Sequence, residues 1–181
     1  MTKTKVRTTA FGLPVEGELY HPRSASKEQL GEDEFAKLIR PLINSPRVEA
    51  IRWEQFTPYF NDGDLCEFGI SGARLKVNDR ADFGEDDDYT DGFFGEYTTA
   101  LKGGQAEKYT PGRWTGSTYT SAVWEPYGPV WPKHEDYGDF EKLADGIEAG
   151  CFDDYLYETF GDHAEVTVYK DRITVETYEH D

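Results

Sequence analysis

Stretches in which every second side chain is apolar do most to limit what this chain can fold into. Cys66, Phe68 and Ile70 alternate with Glu67 and Gly69; after Ser71-Gly72 the pattern resumes with Ala73, Leu75 and Val77 against Arg74, Lys76 and Asn78. Much later Ala164, Val166 and Val168, then Ile173 and Val175, repeat it around a turn at Lys170-Asp171-Arg172. A period of two places all the apolar side chains of a strand on one face, which predicts antiparallel strands buried on one side and solvated on the other. Val48 to Phe56 also reads as a strand, but Val48/Ala50 and Ile51/Trp53 fall in opposite phases, which predicts a bulge. Asn61-Asp62-Gly63-Asp64 is a turn signal, with Asp62-Gly63 suited to positive φ.

A sheet with one apolar face needs a covering layer, and three segments have a helical period. Phe35, Leu38, Ile39, Leu42 and Ile43 predict an amphipathic helix over about residues 27–43. Ser26-Lys-Glu-Gln29 reads as its capping box, Gly31 as an early weak point, and Pro41 as a weakness in its last turn. Phe140, Leu143, Ala144 and Ile147 mark a second helix stopping near Gly150; Phe152, Tyr155, Leu156 and Phe160 mark a third ended by Gly161. The order of helix, strands, insert, helices and strands predicts an α+β fold: an antiparallel sheet from two hairpin regions with helices on one face. At 181 residues the chain is read as a single domain, 1–181. Residues 1–23 read as an extended arm, with Pro14 and Pro22 opposing helix and Val15, Leu19 and Tyr20 suited to an edge strand.

Residues 79–134 fit neither period. They are acidic up to residue 98, and residues 103–133 then hold five Gly, four Pro and six Tyr or Trp. The sequence predicts a long irregular insert here, with one strand in Thr118–Trp124. The aromatics Tyr109, Trp114, Tyr119, Trp124, Tyr127 and Trp131 suggest partial packing.

The formal charge is −17, from 19 Lys+Arg and 36 Asp+Glu, and it is unevenly spread. Residues 1–80 are neutral, 81–134 carry −5 and 135–181 carry −12. Such a chain has no cationic footprint for direct binding of nucleic acid or an anionic membrane. A field of one sign attracts a basic protein surface. The carboxylates singled out for that contact are Asp82, Glu85, Asp86, Asp87, Asp88, Asp91, Asp153 and Asp154. Acidity that serves solubility alone is the competing reading.

Catalytic and cofactor signatures are absent from the sequence. There is no P-loop, GxSxG, HExxH or GxGxxG after a strand, so no cofactor is called for. The loop Glu85–Gly92 lacks an EF-hand pattern: Gly92 at position six puts Tyr89 at three and Thr98 at twelve, without the bidentate Glu. Cys66 and Cys151 are read as reduced, partly buried thiols, and His21, His134, His163 and His180 are scattered. Asp162-His163, at a helix-to-strand junction, reads as a hydrogen-bonded structural pair. The start Met1-Thr-Lys-Thr-Lys-Val-Arg is followed by no apolar stretch of a secretory signal.

Two segments carry a resemblance. Trp53-Glu-Gln-Phe-Thr-Pro-Tyr-Phe-Asn-Asp-Gly-Asp-Leu-Cys-Glu-Phe68 resembles a stretch in small acidic proteins of tailed bacteriophages. Phe160-Gly-Asp-His-Ala-Glu-Val-Thr-Val, with the terminal Val-Glu-Thr-Tyr-Glu-His-Asp181, resembles the end of those proteins. The resemblance implies a viral or prophage origin and a place in the cytoplasm of a bacterial host; it transfers no catalytic residue. The expectation is a non-enzymatic binding protein whose partner has a basic surface, such as a host nucleic-acid-binding protein whose ligand it imitates. The alternatives are a structural or assembly component of the virion, a homo-oligomer using the aromatics of the insert, and an enzyme with an unrecognised carboxylate site.

Overall fold

In the computed structural model, which describes residues 9–10, 13–14, 28–59, 66–79 and 92–179, the alternating stretches assemble into one five-stranded sheet. After a two-residue pair, β1 (Thr9–Ala10) and β2 (Leu13–Pro14), come α1 (Glu32–Asn44), β3 (Val48–Phe56), β4 (Gly69–Val77) and β5 (Phe93–Gly95). The last elements are α3 (Tyr137–Glu148), α4 (Asp153–Phe160), β10 (Ala164–Tyr169) and β11 (Ile173–Thr177). The strand order is β11-β10-β3-β4-β5 with every neighbour antiparallel, so the C-terminal hairpin enters beside β3. The fold is α+β, as the element order predicts.

Alternation decides the faces, and irregularities in the ladder keep them consistent. The β3–β4 register shifts between Val48 and Ala50, the bulge predicted from the phase change, and Val48, Ile51 and Trp53 all join one core. A second shift lies between Arg52 and Glu54, opposite Ser71 to Arg74. The sequence reading placed two strands on either side of Ser71-Gly72; β4 instead runs straight through it. The irregular ladder absorbs the change of phase between Phe68/Ile70 and Ala73/Leu75/Val77. The Asn61–Asp64 turn and the edge strand at Val15, Leu19 and Tyr20 lie outside the described residues.

Phe35, Ile39 and Leu42 of α1, Phe140, Leu143 and Ile147 of α3, and Leu156 of α4 close over Val48, Ile51, Trp53, Leu75, Val166 and Val168. Phe35 meets Trp53 and Phe152 edge-on at 5.8 and 5.2 Å, and Trp53 meets Phe160 at 5.8 Å. Each such pair adds about 0.5–1.5 kcal/mol beyond the area it buries. Buried Gln55 completes this centre: it accepts the Trp53 indole N–H at 3.0 Å and donates to the carbonyls of Leu156 and Gly161.

Helix α1 begins at Glu32, later than the predicted residue 27, with Gly31 at its N-cap. Gln29 is used elsewhere. Its Oε1 accepts the Asp154 N–H at 3.0 Å and its Nε2 donates to the Gly150 carbonyl at 2.8 Å. It thereby caps α4 from a distant part of the chain; the local N-cap, Phe152, is a core residue with no side-chain acceptor. Pro41 lies inside α1 without ending it. Gly150 and Gly161, both with positive φ, follow α3 and α4 as expected.

The predicted irregular insert is regular over its second half. After α2 (Thr99–Lys102), β6 (Gly104–Thr110) pairs with β9 (Val123–Trp131), and β7 (Arg113–Thr115) pairs with β8 (Thr118–Thr120). Thr110 faces Val123 and Arg113 faces Thr120, equal steps along both strands, so the four strands form one antiparallel ribbon turning at Gly116. Its alternation was invisible in the sequence because neither face is buried in the body of the protein. Among the described residues no helix is long and apolar enough to cross a membrane.

Candidate functional surfaces

The ribbon stands on a tied base. Its two legs meet where Gly103 has φ +86°, and a Cβ there would lie 2.7 Å from the Lys133 nitrogen. The His134 N–H donates to the Leu101 carbonyl at 2.8 Å. The His134 ring, 3% exposed as a residue, accepts the Asp136 N–H on Nδ1 at 3.2 Å. Nε2 must then carry the proton, and it donates to Asp79 at 3.1 Å. Asp136 in turn accepts from Ser45 Oγ at 2.9 Å and Arg47 Nε at 3.0 Å. Ser, His and Asp side chains are gathered here, but the serine donates to the aspartate and both histidine nitrogens are engaged. The arrangement locks the ribbon base to the corner between α1 and β3 and activates no nucleophile.

Above that base the aromatics pack in part, as the sequence suggests. Tyr109 and Trp124 meet across the strands with ring centres 4.8 Å apart and planes tilted by 42°, and Trp114 and Tyr119 meet at 5.1 Å and 45° near the tip. Gly112 is required there, because a Cβ would meet the Tyr119 ring. Beyond these pairs the rings face outward: Trp114 is 70% and Trp124 61% exposed. Tyr109, Tyr119 and Tyr127 are about half exposed, and Trp131 is half-buried.

Charge is segregated between the two faces of the sheet. On the face away from the helices Arg52 pairs with Glu165 at 3.4 Å, Arg74 with Glu54 at 3.6 Å and Lys76 with Glu49 at 4.0 Å. Arg52 also covers the Phe93 ring at 4.1 Å. The helical layer is acidic: Glu32, Asp33 and Glu34 open α1, and Asp139, Glu141, Asp145 and Glu148 lie along α3. Neither α1 nor α3 has a basic residue in its last turn. Asp145 and Glu148 thus add to the negative end of the α3 dipole, where cations are ordinarily favoured. The carboxyl of Glu96 is pushed above its usual range by burial and then by Asp145, Glu148 and Glu141. Tyr97 is raised chiefly by Glu96 and Glu148.

Of the carboxylates chosen from the sequence, Asp82, Glu85, Asp86, Asp87, Asp88 and Asp91 lie outside the described residues. Asp153 is 4% exposed, so it is not available to a partner. It belongs to the first turn of α4, where burial of Phe152 and Leu156 draws the helix start inward. Asp154 is half-buried beside Gln29. Exposed acids of the helical layer are instead Glu32, Asp33 and Glu34 of α1, Asp145 and Glu148 of α3 and Glu158 of α4. Their signal was legible as acidic residues on the polar side of a helical period, against the dipole at the end of α3.

Glu96 and Glu148 share a cavity of about 210 Å³ with Arg74, Tyr97, Ala144 and Ile147. That is below the roughly 300–1,000 Å³ of small-molecule sites. Among the described residues no three His, Cys, Asp or Glu side chains are grouped to hold a metal ion. Cys66 and Cys151 are free and partly exposed. Asp162 Oδ1 accepts the N–H groups of Thr57 at 2.8 Å and His163 at 2.9 Å, while the His163 ring stacks on Tyr59 at 4.8 Å. With Trp53 on Phe160, these contacts join the stretch Trp53–Tyr59 to Phe160–His163. Comparison of the chain with protein-family models, curated proteins and solved structures gives no match.

Proposed function

We propose that this is a non-enzymatic binding protein of bacteriophage type that presents its acidic helical layer to a basic surface of another protein in the host cell. A nucleic-acid-binding protein is the partner class that suits it, because such a protein already offers a cationic site spaced for anions. The observation that carries this reading is the distribution of charge: ion pairs of both signs on the sheet face away from the helices, and on α3 an excess of acid, Asp139, Glu141, Asp145 and Glu148 against Lys142, that leaves Asp145 and Glu148 at the negative end of the helix dipole. Ionised groups distributed for solubility alone would have no reason to concentrate on one layer or to oppose a helix dipole.

The test is capture of basic proteins from bacterial lysate by the immobilised chain. Binding should weaken at least tenfold when salt rises from about 50 to about 300 mM, as screening shortens the reach of the field. The triple reversal Glu141→Lys, Asp145→Lys and Glu148→Lys should abolish capture without unfolding the chain. Capture that survives both changes would defeat the proposal. An assembly role is the second reading, favoured by the exposed aromatic ribbon.

A further inference from the structure

We propose that the cavity beside the end of β5 is a socket for one arginine side chain presented by the basic partner. The inference rests on the proposed function and narrows it, giving a broadly acidic layer one anchor point.

The socket follows from the shortness of β5. Its three residues pair with β4 only at Arg74, Leu75 and Lys76. The chain then leaves the sheet through a turn in which the Thr98 N–H donates to the Gly95 carbonyl at 3.1 Å. Towards its start β4 continues through Ala73 and Gly72 with no residue of β5 beside it. The last turn of α3 borders the same place, and the gap left there is the cavity of about 210 Å³. That is more than a water needs and less than an ordinary small-molecule ligand fills, the scale of one long side chain.

The lining is divided as an arginine is divided. Ala73, Ala144 and Ile147, each 5% exposed or less, form an apolar wall suited to the methylene stem. Glu96, Tyr97 and Glu148 supply two carboxylates from different elements and a ring that is 71% exposed. A guanidinium is planar, carries five N–H donors and stacks on aromatic faces, so it can bridge both carboxylates while lying against Tyr97; an ammonium is a point charge and satisfies less of this set. Glu148 ends α3, where the helix dipole adds negative potential. The Glu96 carboxyl is raised by burial, Asp145, Glu148 and Glu141, causes that an incoming cation opposes. Arg74, the cation of the lining, is engaged by Glu54 at 3.6 Å. Gly72 is exposed, and a Cβ there would meet nothing within 4 Å among the described residues, so a backbone carrying the arginine has room beside β4. Proteins that hold nucleic acid contact phosphates through arginines, which gives the proposed partner class the side chain required.

The test is a titration of the full chain, followed through its backbone amides by NMR, with Gly-X-Gly peptides blocked at both ends, X being arginine, lysine or norleucine. The arginine peptide should shift Glu96, Tyr97, Ile147 and Glu148 with a Kd of about 1 mM, lysine should bind at least about threefold more weakly, and norleucine should not bind at about 10 mM. Glu96→Gln and Glu148→Gln should each weaken the arginine peptide at least about fivefold. Glu176→Gln with Glu179→Gln removes two charges at the opposite edge of the sheet and should change binding less than about twofold. Circular dichroism establishes that the variants are folded, and the peptide series on the wild type decides even where one is not. Absence of shifts at these amides, equal binding of lysine or norleucine, or equal weakening by the opposite-edge pair would each overturn the proposal. The peptides replace the partner, so a socket that fails here leaves salt-dependent capture from lysate intact as a separate result, and failed capture with the peptide bound defeats the wider reading alone.

Discussion

The body and the ribbon use the same aromatic residues to opposite ends. In the body Trp53 is 1% exposed, ringed by Phe35 and Phe160, its indole N–H satisfied by Gln55. In the ribbon Trp124 touches one tyrosine and turns most of its surface to water. The difference teaches that an aromatic becomes core only where a second layer covers it. Three helices cover the sheet; nothing else in the described chain covers the ribbon. Stability therefore resides in the body, and the ribbon's exposed rings are available for contact.

Substitution of tryptophan is the hardest test of that contrast. Trp53→Ala should cost about 3–5 kcal/mol, whereas Trp124→Ala should change stability by less than about 1 kcal/mol. Urea denaturation followed by far-UV circular dichroism measures both, and similar costs would erase the distinction. Next in size is Gln55→Leu, which strips the partner from the Trp53 N–H and from two carbonyls; a loss of about 2–3 kcal/mol is expected by the same measurement. Gln29→Ala removes the distant cap of α4 and should cost about 1 kcal/mol, with faster amide hydrogen exchange at Asp154 and its neighbours.

The smallest effect concerns the acidic layer. The carboxyl of Glu96 titrates above its usual range, so the folded state disfavours its charge. Its unfavourable contribution is absent below the ordinary carboxylate range and appears as pH rises through that range to the raised value. Glu96→Gln should therefore raise the melting temperature by about 1 °C at pH 7 and leave it unchanged near pH 4. A gain of equal size at both pH values would assign the effect to packing instead of charge.

The strands of the sheet were legible because each has one polar and one apolar face: β3 matched its predicted bounds, and its bulge followed from the clash of phases at Val48–Trp53. The ribbon was not, because a strand wet on both faces has no apolar alternation to read. The start of α1 was misplaced for another reason. Gln29 makes its hydrogen bonds to Gly150 and Asp154, and a capping box read locally cannot include partners that far along the chain. Asp153 was misassigned to the surface because charge is counted along the sequence, while burial depends on what packs over it.

By itself the sequence determined the α+β class, the apolar stripes of the three core helices and the size of the negative charge, since these follow from residue periods and composition. Only the tertiary structure decided which of those charges reach the surface and which aromatics are left uncovered. Both depend on which surfaces another layer hides from water, and that is settled by contacts between segments far apart in the chain.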